Sequence, residues 1–213
     1  MAERSLAQRL AYRGLRVVTR LTLVTVFAVR YKGRENIPDQ GGGLICANHQ
    51  SFFDPPLIGS GFNRRLNYLA RKTLFRFSPF RWLIEFFDAI PIDREGSGLS
   101  GLKETLRRLK RGEFVLIFPE GTRSHDGQVS PLKPGFVAMA RRSRVPLLPV
   151  GLDGAYDAWP RRVRFPRRAR IHVCVGPPLE PEMVASLSDA QLVAELERRI
   201  RACHAAARQG RSS

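Results

Sequence analysis

Leu44-Ile45-Cys46-Ala47-Asn48-His49-Gln50-Ser51-Phe52-Phe53-Asp54-Pro55 is an apolar run that stops abruptly in polar residues. Its apolar part is opened by Gly41-Gly42-Gly43 and closed by Asn48-His49-Gln50-Ser51, which predicts a short buried strand. In sheets covered by helices, ligand crevices open at strand ends, and a histidine stands at this one. Asp54 followed by Pro55 reads as a helix start that returns toward the strand. Within one continuous helix, residues five apart point to different faces, so His49 and Asp54 meet only across a strand-turn-helix corner. If they meet, Asp54 accepts the imidazole N–H, fixes the tautomer and leaves the other ring nitrogen as a general base. The spacing alone recurs by chance in many proteins.

A second polar cluster has the same architecture. Phe114-Val115-Leu116-Ile117 is another strand candidate, followed at once by Phe118-Pro119-Glu120-Gly121-Thr122-Arg123-Ser124. A carboxylate, a glycine, two hydroxyls and a guanidinium in so short a stretch suit a phosphate-bearing polyol. Gly121 lets the backbone approach a ligand, Arg123 offers a planar fork that matches phosphate, and Glu120 is positioned to accept a ligand hydroxyl. Standing alone, the cluster would read as an ordinary turn with a solvated charge pair.

Around these clusters the pattern alternates. Strands are expected at residues 44–47, 89–92, 114–118, 147–151 and 171–175, and helices at 55–59, 99–110 and 134–142. Alternation of this kind favours an α/β domain with a mixed, largely parallel sheet covered by helices. Near the C-terminus, Ser188 and Gln191 form a capping box, and Leu192, Leu196, Ile200 and Cys203 continue one apolar stripe of a structural helix. A chain of 213 residues that is 43% apolar is enough for one sizeable core. The expected organisation is an N-terminal helical region over 1–34 and a single domain over 35–213. The cysteines, Cys46, Cys174 and Cys203, are odd in number and lack metal-ligand spacing, which points to buried free thiols in a reducing compartment.

The net charge is +17, mostly from arginine, so the partner is expected to be anionic, either nucleic acid or a membrane carrying anionic lipid. Arg9, Arg13, Arg16 and Arg20 fall on one helical stripe, with Leu6, Leu10, Val17, Leu21 and Val24 on a neighbouring one. The uninterrupted apolar stretch from Leu21 to Val29 would be about 14 Å long as a helix, about half of a ~30 Å hydrocarbon core, so it should lie in one leaflet without spanning. A signal peptide competes with this reading, but the stretch ends in Val29-Arg30-Tyr31-Lys32 without a small-residue cleavage pattern. A helix packed on the protein's own core is the other alternative. The second basic concentration, Arg161 to Arg170, holds six arginines in ten residues, with Trp159 and Phe165 nearby. It suits lipid head groups or RNA, or is simply a solvated loop.

Taken together, the two polar clusters resemble the signature blocks of the glycerolipid acyltransferase family, typified by the PlsC-like 1-acylglycerol-3-phosphate acyltransferases. Asn48-His49-Gln50-Ser51-Phe52-Phe53-Asp54 resembles the first block and Phe118 to Ser124 the third. Ala89-Ile90-Pro91-Ile92-Asp93-Arg94 resembles the second, and Val145-Pro146-Leu147-Leu148-Pro149-Val150 the fourth, so the likeness covers roughly residues 35 to 180. Asp88 stands where the family often has glycine, and Pro91 is expected to place the second block at an edge strand or bend. Lys133-Pro134-Gly135 occupies the place of a basic element before a helix, and Tyr68-Leu69-Ala70-Arg71-Lys72 resembles a further family element.

The resemblance implies transfer of an acyl group from a thioester, acyl-CoA or acyl carrier protein, to the free hydroxyl of a lysophospholipid, with lysophosphatidate favoured as acceptor. His49 is then the base and Asp54 its partner. Arg94 and Arg123 hold the phosphate, Glu120, Gly121 and Thr122 shape the polyol site, and Lys133 is a further cation. No nucleophilic serine is required, because no glycine-framed elbow surrounds Ser51. No metal and no cofactor beyond the thioester co-substrate is expected, nor a nucleic-acid partner. The expected location is the cytoplasmic face of a membrane, as a peripheral or monotopic protein. A lipid hydrolase using the same His-Asp pair and a nucleic-acid-binding protein are the rival classes.

Overall fold

The computed structural model describes residues 6–64, 66–71, 89–92, 99–161 and 163–212. Helix α1 (Leu6–Phe27) leads through β1 (Arg30–Lys32) and a 3-10 turn (Arg34–Asn36) into β2 (Gly43–Ala47), α2 (Asp54–Gly61) and β3 (Leu66–Arg71). Then come β4 (Ala89–Ile92), α3 (Leu99–Lys110), β5 (Phe114–Ile117), a 3-10 turn (Pro134–Phe136), α4 (Val137–Ser143), β6 (Leu147–Asp153) and α5 (Ala155–Ala158). Strand β7 (His172–Val175) and helices α6 (Pro181–Ser186) and α7 (Asp189–Ser212) complete the described chain.

The strands form one sheet in the order β1-β7-β6-β2-β5-β3-β4. It is mixed and largely parallel: among the described strand pairs, only β6–β7 is antiparallel. Strand β2 lies at its centre, paired with β5 through Cys46 and Ile117 and with β6 through Ala47 and Val150. The absence of polar alternation in β2 and β5 has a direct cause. Ile45, Ala47, Phe114 and Leu116 join one buried cluster, while Leu44, Cys46, Val115 and Ile117 join another. Successive side chains point to opposite faces, and both faces are covered. Each fully buried Leu, Ile or Phe is worth about 1.5–3 kcal/mol relative to exposure.

The first cluster takes in Leu57 and Ile58 of α2 with Leu23 and Phe27 of α1, and the second takes in Val137 and Ala140 of α4 with Leu192, Leu196 and Ile200 of α7. The helices following β2 and β5 therefore lie on opposite faces of the sheet. Chain that leaves two neighbouring parallel strands in opposite directions opens a crevice between their C-terminal ends.

Strand β4, which carries Pro91, is an edge strand, as the sequence predicts. Strands β1 and β3 have no counterpart among the expected strands, although β3 ends within the family-like stretch that begins at Tyr68. The expected capping box forms: Ser188 N–H donates to Gln191 Oε1 at 2.9 Å and Gln191 N–H to Ser188 Oγ at 3.3 Å. The three cysteines are free and buried. Helix α1 buries Leu23 and Phe27 but leaves Val17, Val18, Leu21 and Val24 exposed. Among the described residues, no helix is long and apolar enough to cross a membrane.

Candidate active site

His49 and Asp54 meet at the crevice. Ala47 is the last residue of β2, and Asp54 opens α2 with prolines at the next two positions. The intervening turn folds back until His49 Nδ1 lies 2.7 Å from Asp54 Oδ2. The same oxygen accepts the backbone N–H groups of Gln50, at 2.6 Å, and Ser51, at 2.8 Å. An oxygen holding two N–H donors is an acceptor, so Nδ1 carries the imidazole proton and Nε2 is left with its lone pair. Asp54 is fully buried, whereas the His49 side chain keeps 20% exposure. The ring is clamped against Phe118, nearly parallel at 15° with centroids 3.9 Å apart.

The second block is tied to the first by its backbone. Ser124 N–H donates to His49 O at 2.7 Å, and His49 N–H donates to Glu120 Oε1 at 2.7 Å. Glu120 Oε2 accepts Ser130 N–H at 3.0 Å. Glu120 is 2% exposed, and its burial pushes the carboxyl above the usual range despite these donors. Each Glu120 oxygen thus accepts a backbone N–H, and the side chain braces His49.

Gly121 turns at φ 75°, and a Cβ there would come within 3.2 Å of the Lys133 side chain. Lys133 is exposed, lies across this turn and donates its backbone N–H to Pro119 O at 2.9 Å. Thr122 and Arg123 are half-buried on the same turn, and the Arg123 guanidinium lies 3.5 Å over the Phe52 ring. Such stacking fixes the plane of the fork. The structure therefore brings together His49, Asp54, Glu120, Gly121, Thr122, Arg123 and Lys133. Arg94, Lys72 and Asp88 lie outside the described residues, as does the side chain of Arg71.

With that geometry in place, the match of the acyltransferase family model to residues 28–153 decides the family. The chain belongs to the acyltransferase family. It is 30% identical, over 81% of its length and 89% of the relative's, to the 1-acyl-sn-glycerol-3-phosphate acyltransferase of Bacillus subtilis (strain 168). It is 33% identical, over 83% of its length and 68% of the relative's, to the enzyme of the same name from Pseudomonas aeruginosa. Among solved structures, the 1-acyl-sn-glycerophosphate (LPA) acyltransferase PlsC from Thermotoga maritima matches with a TM-score of 0.82 and 26% identity, covering 97% of this chain and 83% of that one. The chain is thus an acyltransferase enzyme with the same α/β architecture.

In this acyltransferase several residues support the site in ways that spacing does not reveal. Asn48 extends the β2–β6 ladder with its side chain, donating to Leu152 O at 3.0 Å and accepting Leu152 N–H at 2.8 Å. Gln50 donates to Gly127 O at 2.6 Å and accepts Tyr156 N–H at 3.1 Å. Ser51 Oγ is buried and donates to Trp159 O at 2.9 Å. Phe53 in turn packs 4.7 Å from Trp159 and 5.2 Å from Phe27. The one available signal was polarity: Asn48, Gln50 and Ser51 end a buried strand, where each polar group needs a partner.

Proposed function

We propose that the enzyme transfers an acyl group from acyl-CoA or acyl carrier protein to the free hydroxyl of 1-acylglycerol 3-phosphate, giving phosphatidate, with His49 as general base. The observation that carries this reading is the 2.7 Å contact between His49 Nδ1 and buried Asp54, which leaves Nε2 as the basic nitrogen. The names of the Bacillus and Pseudomonas relatives support the acceptor.

Nε2 takes the proton of the acceptor hydroxyl as its oxygen attacks the thioester carbonyl carbon. Asp54 stabilises the resulting imidazolium. The tetrahedral intermediate collapses, the C–S bond breaks, and the thiolate leaves with the proton returned by His49. Arg123, with Arg94 and Lys133, holds the acceptor phosphate. The exposed residues Val17, Val18, Leu21 and Val24 of α1 lie in one leaflet of an anionic membrane and keep the crevice at the surface where both lipids reside. The cytoplasmic face suits thioester donors and free thiols.

The test is incubation of the purified protein with lysophosphatidate and a labelled acyl thioester. Labelled phosphatidate is expected, and His49→Ala should lose about 10²–10⁴ in rate with the fold intact. Arg123→Ala should raise the acceptor's KM. Retained transfer by His49→Ala would remove the general base, and free fatty acid released without acceptor would make the enzyme a hydrolase.

A further inference from the structure

The segment between α5 and β7 is used by no step above, yet it concentrates exposed positive charge. Arg161, Arg164, Arg167, Arg168 and Arg170 are all exposed, and no acidic residue occurs between Ala158 and Ile171. Phe165 is 69% exposed, with the Arg164 guanidinium 5.5 Å from its ring. An aromatic ring held in water among cations matches an interface with anions at one level and apolar chains just beneath.

The stem of this segment is fixed. Arg167 N–H donates to Ala158 O at 2.7 Å, and Trp159 Nε1–H donates to Val163 O at 2.9 Å. At its far end, Ile171 N–H donates to Phe27 O, the last residue of α1, at 3.2 Å. Trp159 at the near end accepts Ser51 Oγ–H and packs on Phe53. The segment is therefore rooted both in the end of α1 and in the turn that carries His49 and Asp54.

We propose that residues 160–170 form a second membrane contact: an anionic-lipid docking loop that inserts Phe165 among acyl chains, binds head groups through its arginines and, with α1, orients the His49 crevice toward the leaflet. The inference rests on the membrane part of the function proposed above and adds a partner, anionic lipid, for a surface that part leaves idle. Arginines interleaved with aromatics also suit single-stranded RNA. Lipid is favoured because the segment is tied to the end of α1, a helix whose exposed apolar residues RNA would not use.

The experiment is co-sedimentation of the full chain with phosphatidylcholine vesicles, with or without phosphatidylglycerol, in parallel with retention on single-stranded RNA. Reversing Arg164, Arg167 and Arg168 to Glu should weaken binding to the anionic vesicles on the order of 100-fold and leave binding to neutral vesicles unchanged. Phe165→Ser, a single change at an exposed site, should weaken binding to both vesicle types and serves if the triple variant does not fold. Leu21→Glu isolates the contribution of α1. Wild-type affinity for anionic vesicles in Phe165→Ser and in the folded triple variant overturns the proposal, as does loss of RNA retention with vesicle binding intact. Acyl transfer to detergent-dispersed lysophosphatidate should be unchanged in these loop variants. Failure of the wild-type chain to make phosphatidate in that assay would overturn the proposed reaction and leave the vesicle result standing.

Discussion

At the scale of single residues, the site depends on how many donors one oxygen holds. Asp54 Oδ2 accepts from His49 Nδ1, Gln50 N and Ser51 N, while Oδ1 is buried with no hydrogen-bond partner among the described residues. Asp54→Asn presents one oxygen and one NH2 group to the same corner. If the oxygen stays on the backbone donors, the histidine loses its counter-charge. Steady-state kinetics should show kcat falling by about 10²–10⁴ with the acceptor's KM little changed; an unchanged kcat would reduce Asp54 to a structural helix start. The pairing of His49 with Asp54 was legible in the sequence because a turn between strand and helix has few ways to close. The task of Glu120 was not. Its partners, His49 and Ser130, are 71 and 10 residues away, and a carboxylate looks the same in sequence whether it faces a ligand or a backbone N–H.

At the scale of elements, β2, β4, β5, β6 and β7 could be read from apolar runs, and in β2, β5 and β6 the residues divide between two buried clusters on opposite faces. Strand β1 is three residues long with an exposed, half-buried, exposed pattern, so it carries no apolar signal. Strand β3 is broken in sequence by Asn67, whose side chain is buried and donates to Phe114 O and Glu113 Oε2 at 2.9 Å each while accepting from Arg108. These are tertiary bonds to β5 and α3. The close approach of α7 to β6 is another tertiary feature. A Cβ on Gly151 would lie 2.1 Å from His204 N and 2.3 Å from Cys203 C, both backbone atoms of α7. Gly151→Ala must therefore push the helix off the sheet and should cost about 3 kcal/mol or more, read as a lower midpoint in urea unfolding. An unchanged midpoint would mean that α7 shifts freely.

At the scale of the whole molecule, the sequence carries a charge of +17, and only the fold divides it between an exposed loop and internal ties. Asp153, at the end of β6, is one such tie. It lies 2.6 Å from Arg211 Nε, 3.3 Å from His204 Nε2 and 3.9 Å from Arg208 Nε of α7. Burial opposes its charge, but the hydrogen bond from His204 and the Arg211 and Arg208 guanidiniums outweigh that and hold its carboxyl below the usual range. A carboxyl depressed in the folded state contributes stability that is fully present above its unfolded pKa, about 3.9, and is lost as pH falls through the folded value. Asp153→Asn should lower Tm at neutral pH and flatten the decline of Tm below about pH 4; an acid slope equal to that of the parent chain would count against the tie. Hydrophobic patterning and short turns act between residues near in the chain, so the covered α/β sheet, the family and the His49–Asp54 pair are legible without coordinates. Packing settles that Glu120 braces His49, that Phe52 shelves Arg123 and that the 160–170 loop is rooted beside both α1 and the turn that carries His49 and Asp54. Those contacts join distant segments, and side-chain geometry set by packing, which no local pattern encodes, selects them.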